Sequence, residues 1–251
     1  MRNGSFRSTI SEQNVLFQCY SFDVPSSRQD DPGPGDVRRS ERATRTSTSL
    51  SGRRAEAARN DKRILEAARA VFVADPSAPI TAVAKEAGVG ISALYTRYGS
   101  KQELLHQLSH DGLQAYVDIT EEALADERDP WTVLTERMRR LVEADTSSLT
   151  LALAGKFTPS EDLSTLAERS NNLAAEFFER VKRVLRPGLE PHDLSLALEL
   201  IAALKLTDRE RTIQLRQRYL AVILDGLRAA NPDPLPGPPP HWAEITERWA
   251  R

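Results

Sequence analysis

The stretch 80–105, ITAVAKEAGVGISALYTRYGSKQELL, decides the fold. Val83, Ala84 and Ala87 recur at helical spacing, Gly88 interrupts them, and a second short run begins at Ile91 with Leu94 and Tyr98 four residues apart. Helices this short are not stable alone. Joined by a tight turn on Gly88, they make a helix-turn-helix, and glycine suits the turn because the chain there often needs a positive φ. If Leu94 and Tyr98 face inward, Ile91, Ser92, Tyr95, Thr96 and Arg97 lie on or near the free face. Hydroxyls, an aromatic ring and a guanidinium are groups that meet phosphates and base edges. Ser100-x-x-Glu103 then reads as a capping box for the next helix. The first turn of that helix carries Lys101 and free backbone N–H groups, a seat for a phosphate.

Upstream, a helix is expected from about Arg54 to Ala74, with Ile64, Leu65, Ala68, Val71 and Phe72 as its inner stripe. Asp75-Pro76 ends it, since proline disfavours helix in the residue before it. The N-cap of the helix that follows Pro79 is open between Ser77, Ala78 and Thr81, and Thr81 is also placed to reach a phosphate. Residues 1–52 are rich in Ser, Arg, Asp, Pro and Gly without periodicity and are expected to be a disordered, basic tail. Its later arginines suit either an arm along DNA or a solubilising tail.

The blocks ILEAARAVF, AKEAGVG, ALYTRYGSK and ELL, in that order between Arg63 and Leu105, resemble the DNA-binding domain of the TetR family of bacterial transcriptional regulators. Two positions depart from that family's pattern: Ala93 stands where a small hydroxyl residue is common, and Tyr98 where Phe is frequent. The resemblance implies contacts to double-stranded DNA from Thr81, Ile91, Ser92, Ala93, Tyr95, Thr96, Arg97, Ser100 and Lys101. Arg97 is the candidate for a bidentate guanine contact. It also implies a homodimer on a palindromic operator, because one short recognition helix per half-site is paired by two-fold symmetry.

Beyond Lys101 the chain reads as amphipathic helices with clear punctuation: 101–125, 131–144, about 147–155, a helix opened by Thr158-Pro159-x-Glu161, 194–206, and one opened by Thr207-x-x-Glu210. No segment argues for a strand, so the expected class is all-α, with about nine main helices. The organisation is a tail (1–52), a three-helix helix-turn-helix domain (53–105), a helical ligand-binding and dimerisation domain (106–230) and a Pro-rich end with a short helix (231–251). The run LSLALELIAALKL is apolar on nearly every side, and the last long helix has more than a one-sided stripe. Leu194, Leu198, Ile201, Tyr219, Val222 and Ile223 are therefore expected at a dimer interface, which the resemblance makes a four-helix bundle. The middle helices are expected to enclose a pocket for a small-molecule effector, with Trp131, Met138, Phe157, Phe177 and Phe178 as lining candidates. Arg137, Asn171 or Asn172 are candidate polar anchors.

The totals fit. From Arg38 to Lys101 there are 13 Lys and Arg against 6 Asp and Glu; from Gln102 onward, 18 against 25. A basic front and an acidic back suit a chain that meets nucleic acid at one end. The single cysteine, Cys19, excludes an internal disulfide and fits a reducing cytoplasm; no apolar run is long enough for a membrane span. His106 and His110 stand i, i+4 but lack further ligands nearby, and no phosphate loop, nucleophile elbow or Cys–His pair is present. No metal, cofactor or enzymatic activity is expected. Two functions stand: a DNA-binding repressor released by a ligand, and an all-helical dimeric interaction protein that no longer reads DNA.

Overall fold

The computed structural model describes residues 37–154, 158–228 and 233–247, with side chains from residue 56 onward except at 245. Packing divides the chain into two units, Met1–Ser51 and Gly52–Arg251. Among the described residues every regular element is helical: α1 (Val37–Ala74), α2 (Ile80–Ala87), α3 (Ile91–Tyr98), α4 (Lys101–Ala125), α5 (Pro130–Glu143), α6 (Thr146–Leu153), α7 (Glu161–Val181), α8 (Pro191–Ala203), α9 (Arg209–Leu227) and α10 (Trp242–Thr246). A 3₁₀ turn follows α7 at Lys182–Val184, and an isolated antiparallel bridge joins Leu185 to Arg228. The all-α class is as expected. No helix among the described residues is long and apolar enough to cross a membrane.

The start of α1 differs from expectation. It begins at Val37 rather than near Arg54, so residues 37–52 are helical rather than part of a disordered tail. Between Val37 and Gly52 the only apolar side chains are Val37, Ala43 and Leu50, too few to form a stripe. Hydrophobic periodicity is blind to a helix that offers no core-facing side. The remainder of the expected tail, with Cys19, lies outside the described residues.

Several caps are those the sequence announces. Asp129 caps α5, its carboxylate accepting from the Thr132 N–H at 3.0 Å, with Pro130 at the first helical position. Ser100 Oγ accepts from the Glu103 N–H at 3.1 Å, which is half of the expected capping box; the Ser100 N–H goes to the Tyr98 carbonyl instead. Asp208, not Thr207, caps α9, accepting from the Arg211 N–H at 3.1 Å. Pro79, none of the three open candidates, precedes α2 and offers no side-chain cap.

Two apolar clusters form the interior. The first gathers Ile64, Ala68 and Phe72 of α1, Val83 and Ala87 of α2, Leu94 and Tyr98 of α3, and Leu104, Leu105 and Leu108 of α4. It also takes in Leu149 and Leu153 of α6 and Leu163 of α7, so the core beneath the helix-turn-helix reaches past the expected boundary at 105. The second joins α5, α7, α8 and α9 with the far end of α4 through Ile119 and Ala123. Full burial of a Leu or Phe contributes about 1.5–3 kcal/mol. At least three such residues tie α6 and α7 to the first cluster. Polar ties reinforce the joint: Arg69 of α1 donates to the Asp145 carbonyl at 2.8 Å, and Lys205 after α8 donates to the Val73 carbonyl at 2.8 Å.

Candidate functional site

The turn between α2 and α3 is closed by backbone geometry. Gly88 is left-handed (φ 64°, ψ 37°); its N–H donates to Lys85 O at 3.2 Å, and the Val89 N–H donates to Ala84 O at 3.0 Å. These are the two bonds of a Schellman ending, in which a residue in this conformation reverses the chain out of a helix. A β-carbon at Gly88 would sit 3.0 Å from Arg63 Nη2, which donates to the Ala87 carbonyl at 2.7 Å. Thus α1, α2 and the turn are locked around one guanidinium. Gly99 makes the second turn with φ 60° and ψ −49°.

With Leu94 fully buried and Tyr98 6% exposed, α3 is fixed by its inner edge. Ser92, Ala93, Tyr95, Thr96 and Arg97 are exposed, as is Thr81 on α2, while Ile91 and Ser100 are half-buried. Ser92, Tyr95, Thr96 and Arg97 of the expected free face point outward, whereas Ile91 packs against the first cluster and Ala93 is exposed in its stead. The chemistry of this outward face is partly engaged within the chain. The Thr96 hydroxyl donates to the Ser92 carbonyl at 2.8 Å. Arg97 Nε donates to Asp61 Oδ1 of α1 at 2.7 Å, an ion pair that holds the guanidinium further above its ordinary pKa, and its plane lies 5.3 Å from the Tyr98 ring centre.

Lys101 departs from the expected phosphate contact. Its ammonium donates to the carbonyls of Pro76 and Ala78 at 2.9 and 2.8 Å and stands 5.0 Å from the Phe72 ring centre. The α1–α2 turn leaves those carbonyls without helical partners, and the lysine that opens α4 supplies them. Lys101 is thus a latch on that turn.

Two short helices on a glycine turn, the second showing an exposed polar side, define a helix-turn-helix protein. Residues 64–108 match the model of the tetR family of bacterial regulatory proteins; the amino-terminal domain of this chain is a TetR-family domain. Solved structures also overlap with it. The TetR transcriptional regulator SCO0520 from Streptomyces coelicolor has 24% identity, 68% of this chain and 99% of that one covered, and a TM-score of 0.47. For the TetR regulatory protein from Mycobacterium vanbaalenii the figures are 28%, 70%, 98% and 0.45. For the ketosteroid regulator KstR2 of Mycobacterium tuberculosis they are 18%, 68%, 95% and 0.48. A comparison with curated proteins gives no match.

A cavity of about 610 Å³ opens among α4, α6, α7, α8 and α10. It does not use the expected lining. Met138 and Phe177 are fully buried and Phe178 is 5% exposed, all in the second cluster; Trp131 packs at that cluster's edge beneath Arg228; Phe157 lies outside the described residues. Large aromatics on a strongly amphipathic helix fill the core rather than leave room. The space arises instead where small residues oppose each other. Ser109 and Gly112 of α4 face Ala167, Ser170, Asn171 and Ala174 of α7, and their short side chains leave a gap between the helices. That spacing of three, four and seven residues was the available signal. Asn171, one of the candidate anchors, does line the space. Arg137 does not: it is 3% exposed, donates to Thr120 Oγ1 at 3.0–3.1 Å and to Tyr116 Oη at 2.8 Å, and lies 4.5 Å from the Phe177 ring centre.

Of the expected interface residues, Leu194, Leu198 and Ile201 turn inward, 3–4% exposed within this subunit's own second cluster. A side chain sealed in its own core cannot meet a second copy. Tyr219 and Val222 are exposed at 49% and 60% and Ile223 is half-buried; Leu200, at 71%, and Ile213, at 46%, join them on the outside of α8 and α9. The helix α8 is apolar all round, which hides which of its leucines faces out.

Among the described residues no group of three His, Cys, Asp or Glu side chains converges as a metal site would require. His106 Nε2 pairs with Ser160 Oγ at 2.8 Å and with Asp162 Oδ2 at 3.0 Å, tying α4 to the start of α7.

Proposed function

We propose that this chain is a homodimeric transcriptional regulator that grips double-stranded DNA with α3 and releases it when a small molecule enters the cavity. Two copies related by a two-fold axis place α3 in major grooves about 34–36 Å apart on a palindromic operator. Ser92, Thr96 and Arg97 face base edges; Thr81, Tyr95 and Ser100 meet the backbone, beside Ile91 and Ala93. The exposed apolar residues Leu200, Ile213, Tyr219 and Val222 supply the self-complementary face, an extent of apolar surface that a lone subunit seldom leaves in water. The basic front of the chain draws it to phosphates.

One observation carries the repressor reading: α4 runs unbroken for 25 residues from the core beneath α3 to the cavity wall. A ligand that favours a different seat for Gly112 and Tyr116 thereby favours a different seat for the first turn of α4. It shifts DNA affinity only by its preference between those two states, with a coupling of about 1–3 kcal/mol for such systems.

The second reading, a dimeric interaction protein that does not read DNA, draws on Arg97 and Lys101. Asp61 takes the Nε of the first, and the α1–α2 turn takes the ammonium of the second. A gel shift with the chain's own upstream DNA separates the two. Retardation with an affinity that falls about 10³–10⁵-fold between 50 and 200 mM salt supports the regulator; a flat salt response, or no shift on any duplex, supports the alternative.

A further inference from the structure

Asp61 stands on α1, outside the two helices that form the helix-turn-helix, yet its carboxylate takes the guanidinium of α3. Its place is set by the core. Close by on α1, Ile64 is 3% exposed in the first cluster, and Arg63 donates to the Ala87 carbonyl at 2.7 Å. That turn of α1 is therefore clamped to the end of α2. The Asp61 side chain is 27% exposed, against 59% for Arg97, so the acid is the anchored member of the pair.

The two are joined by a single bond, Nε to Oδ1 at 2.7 Å. A two-bond fork would use a terminal nitrogen of the guanidinium as well. With Nε committed, the edge that can meet guanine N7 and O6 is the one formed by Nη1 and Nη2. The Tyr98 ring, 5.3 Å from the guanidinium carbon and itself mostly buried, backs one face of the same group. Contacts at Nε and at that face restrict a long side chain to one direction. An arginine held so loses less freedom when it binds than a free one does. Charge alone does not explain an acid here. A carboxylate beside the reading helix lowers the attraction to phosphates, and an ion pair this exposed adds little stability. What it supplies is direction.

We propose that Asp61 is a positioning residue for base recognition: it holds Nε of Arg97 so that the Nη1–Nη2 edge meets a guanine, and thereby sets sequence preference within each half-site. This rests on the DNA-binding reading above, and is tested with and without DNA so that the two can fail separately.

The full-length chain and its Arg97→Ala variant are each selected on a pool of randomised duplexes, which locates the base that depends on Arg97. Dissociation constants are then measured for the selected duplex, for the same duplex with that guanine replaced, and for an unrelated duplex. The unaltered chain should prefer guanine about tenfold, the size of a good bidentate contact. Asp61→Ala should lower that preference about threefold or more, since the fork is no longer pre-oriented. It should bind the unrelated duplex as tightly as the unaltered chain or tighter, because an acid has gone from near the phosphates. Asp61→Asn, which keeps an oxygen for Nε, should retain most of the preference. Without DNA, nuclear magnetic resonance should show the Arg97 Nε–H exchanging with water more slowly in the unaltered chain and in Asp61→Asn than in Asp61→Ala. Circular dichroism and the melting temperature of each variant confirm that it is folded. A guanine preference unchanged in Asp61→Ala overturns the proposal, and so does the same sequence selected by Arg97→Ala. Weakening of every duplex alike in Asp61→Ala, or equal exchange in all three chains, overturns it as well. If the exchange rates differ as described but the unaltered chain selects no sequence, it is the DNA-binding reading that fails.

Discussion

Arg216 of α9 donates to Asp145 Oδ1 at 2.8 Å, and the Asp145 carbonyl in turn accepts from Arg69 of α1 at 2.8 Å. Asp145 has φ 51°, unusual for a residue with a side chain, and its carboxylate also accepts from the Ser148 hydroxyl. Arg216 is 6% exposed and donates further to Ala202 O and Leu204 O at the end of α8. One aspartate therefore joins the helix beneath the helix-turn-helix to the helix pair that carries the exposed apolar face.

Removing one partner strands a buried charge, which costs about 3–5 kcal/mol. Asp145→Ala is expected to lose that order of stability in urea unfolding. Asp145→Asn, which tolerates a left-handed backbone and keeps an acceptor, should lose clearly less. Equal losses would mean that the lost charge alone carries the joint, with no part played by the acceptor oxygen or the backbone conformation.

Gly88→Ala places a side chain at φ 64° and 3.0 Å from Arg63 Nη2. The backbone cost alone is about 1–2 kcal/mol. A midpoint shift of that size in urea is expected; a neutral substitution would show that the turn relaxes freely.

Lys101→Met keeps the stem over Phe72 and deletes the two bonds to Pro76 and Ala78. Loss of about 1.5–3 kcal/mol is expected from charge-assisted bonds in a partly buried place. The slope of log affinity against log salt for DNA should stay as in the unaltered chain. A slope reduced by about one would assign the ammonium to a phosphate after all.

Leu200→Glu together with Val222→Glu puts charge on two residues exposed at 71% and 60%. Sedimentation should shift from dimer to monomer with helix content intact. A sedimentation coefficient that does not move would place the contact between copies elsewhere.

His192, whose pKa burial holds below the ordinary 6.5, is opposed in this by Asp193 and Glu190 and assisted by His241. The unfolded chain takes up this proton at higher pH than the folded one, so stability rises with pH across the interval between the two values. The segment whose Trp242 ring stacks on His192 is thus fully held above about pH 6.5 and loosens as pH falls through the lower, folded value. Tryptophan emission followed from pH 7.5 to 5 should change in the unaltered chain, with less change in His192→Phe.

The elements most readable in the sequence were those with a mechanism per residue: Gly88 for the turn, Asp129-Pro130 for the start of α5, and Leu94 and Tyr98 for the inner edge of α3. Three things were hidden, each for a physical reason. The front of α1 has no stripe to read. In α8 every face is apolar, so Leu198 and Leu200 look alike although one is 4% and the other 71% exposed. The cavity is made by what small residues leave empty, whereas the large side chains of Met138, Phe177 and Phe178 fill the core. Partners distant along the chain, such as Asp61 for Arg97 or Asp145 for Arg216, leave no local trace at all.

Leu149, Leu153 and Leu163 fill the underside of the amino-terminal cluster. A fragment cut after Leu108 would carry an open, greasy socket where those three plug in, and should clump or melt early when expressed by itself. The family boundary along the chain is therefore not a seam along which the molecule can be snapped in two.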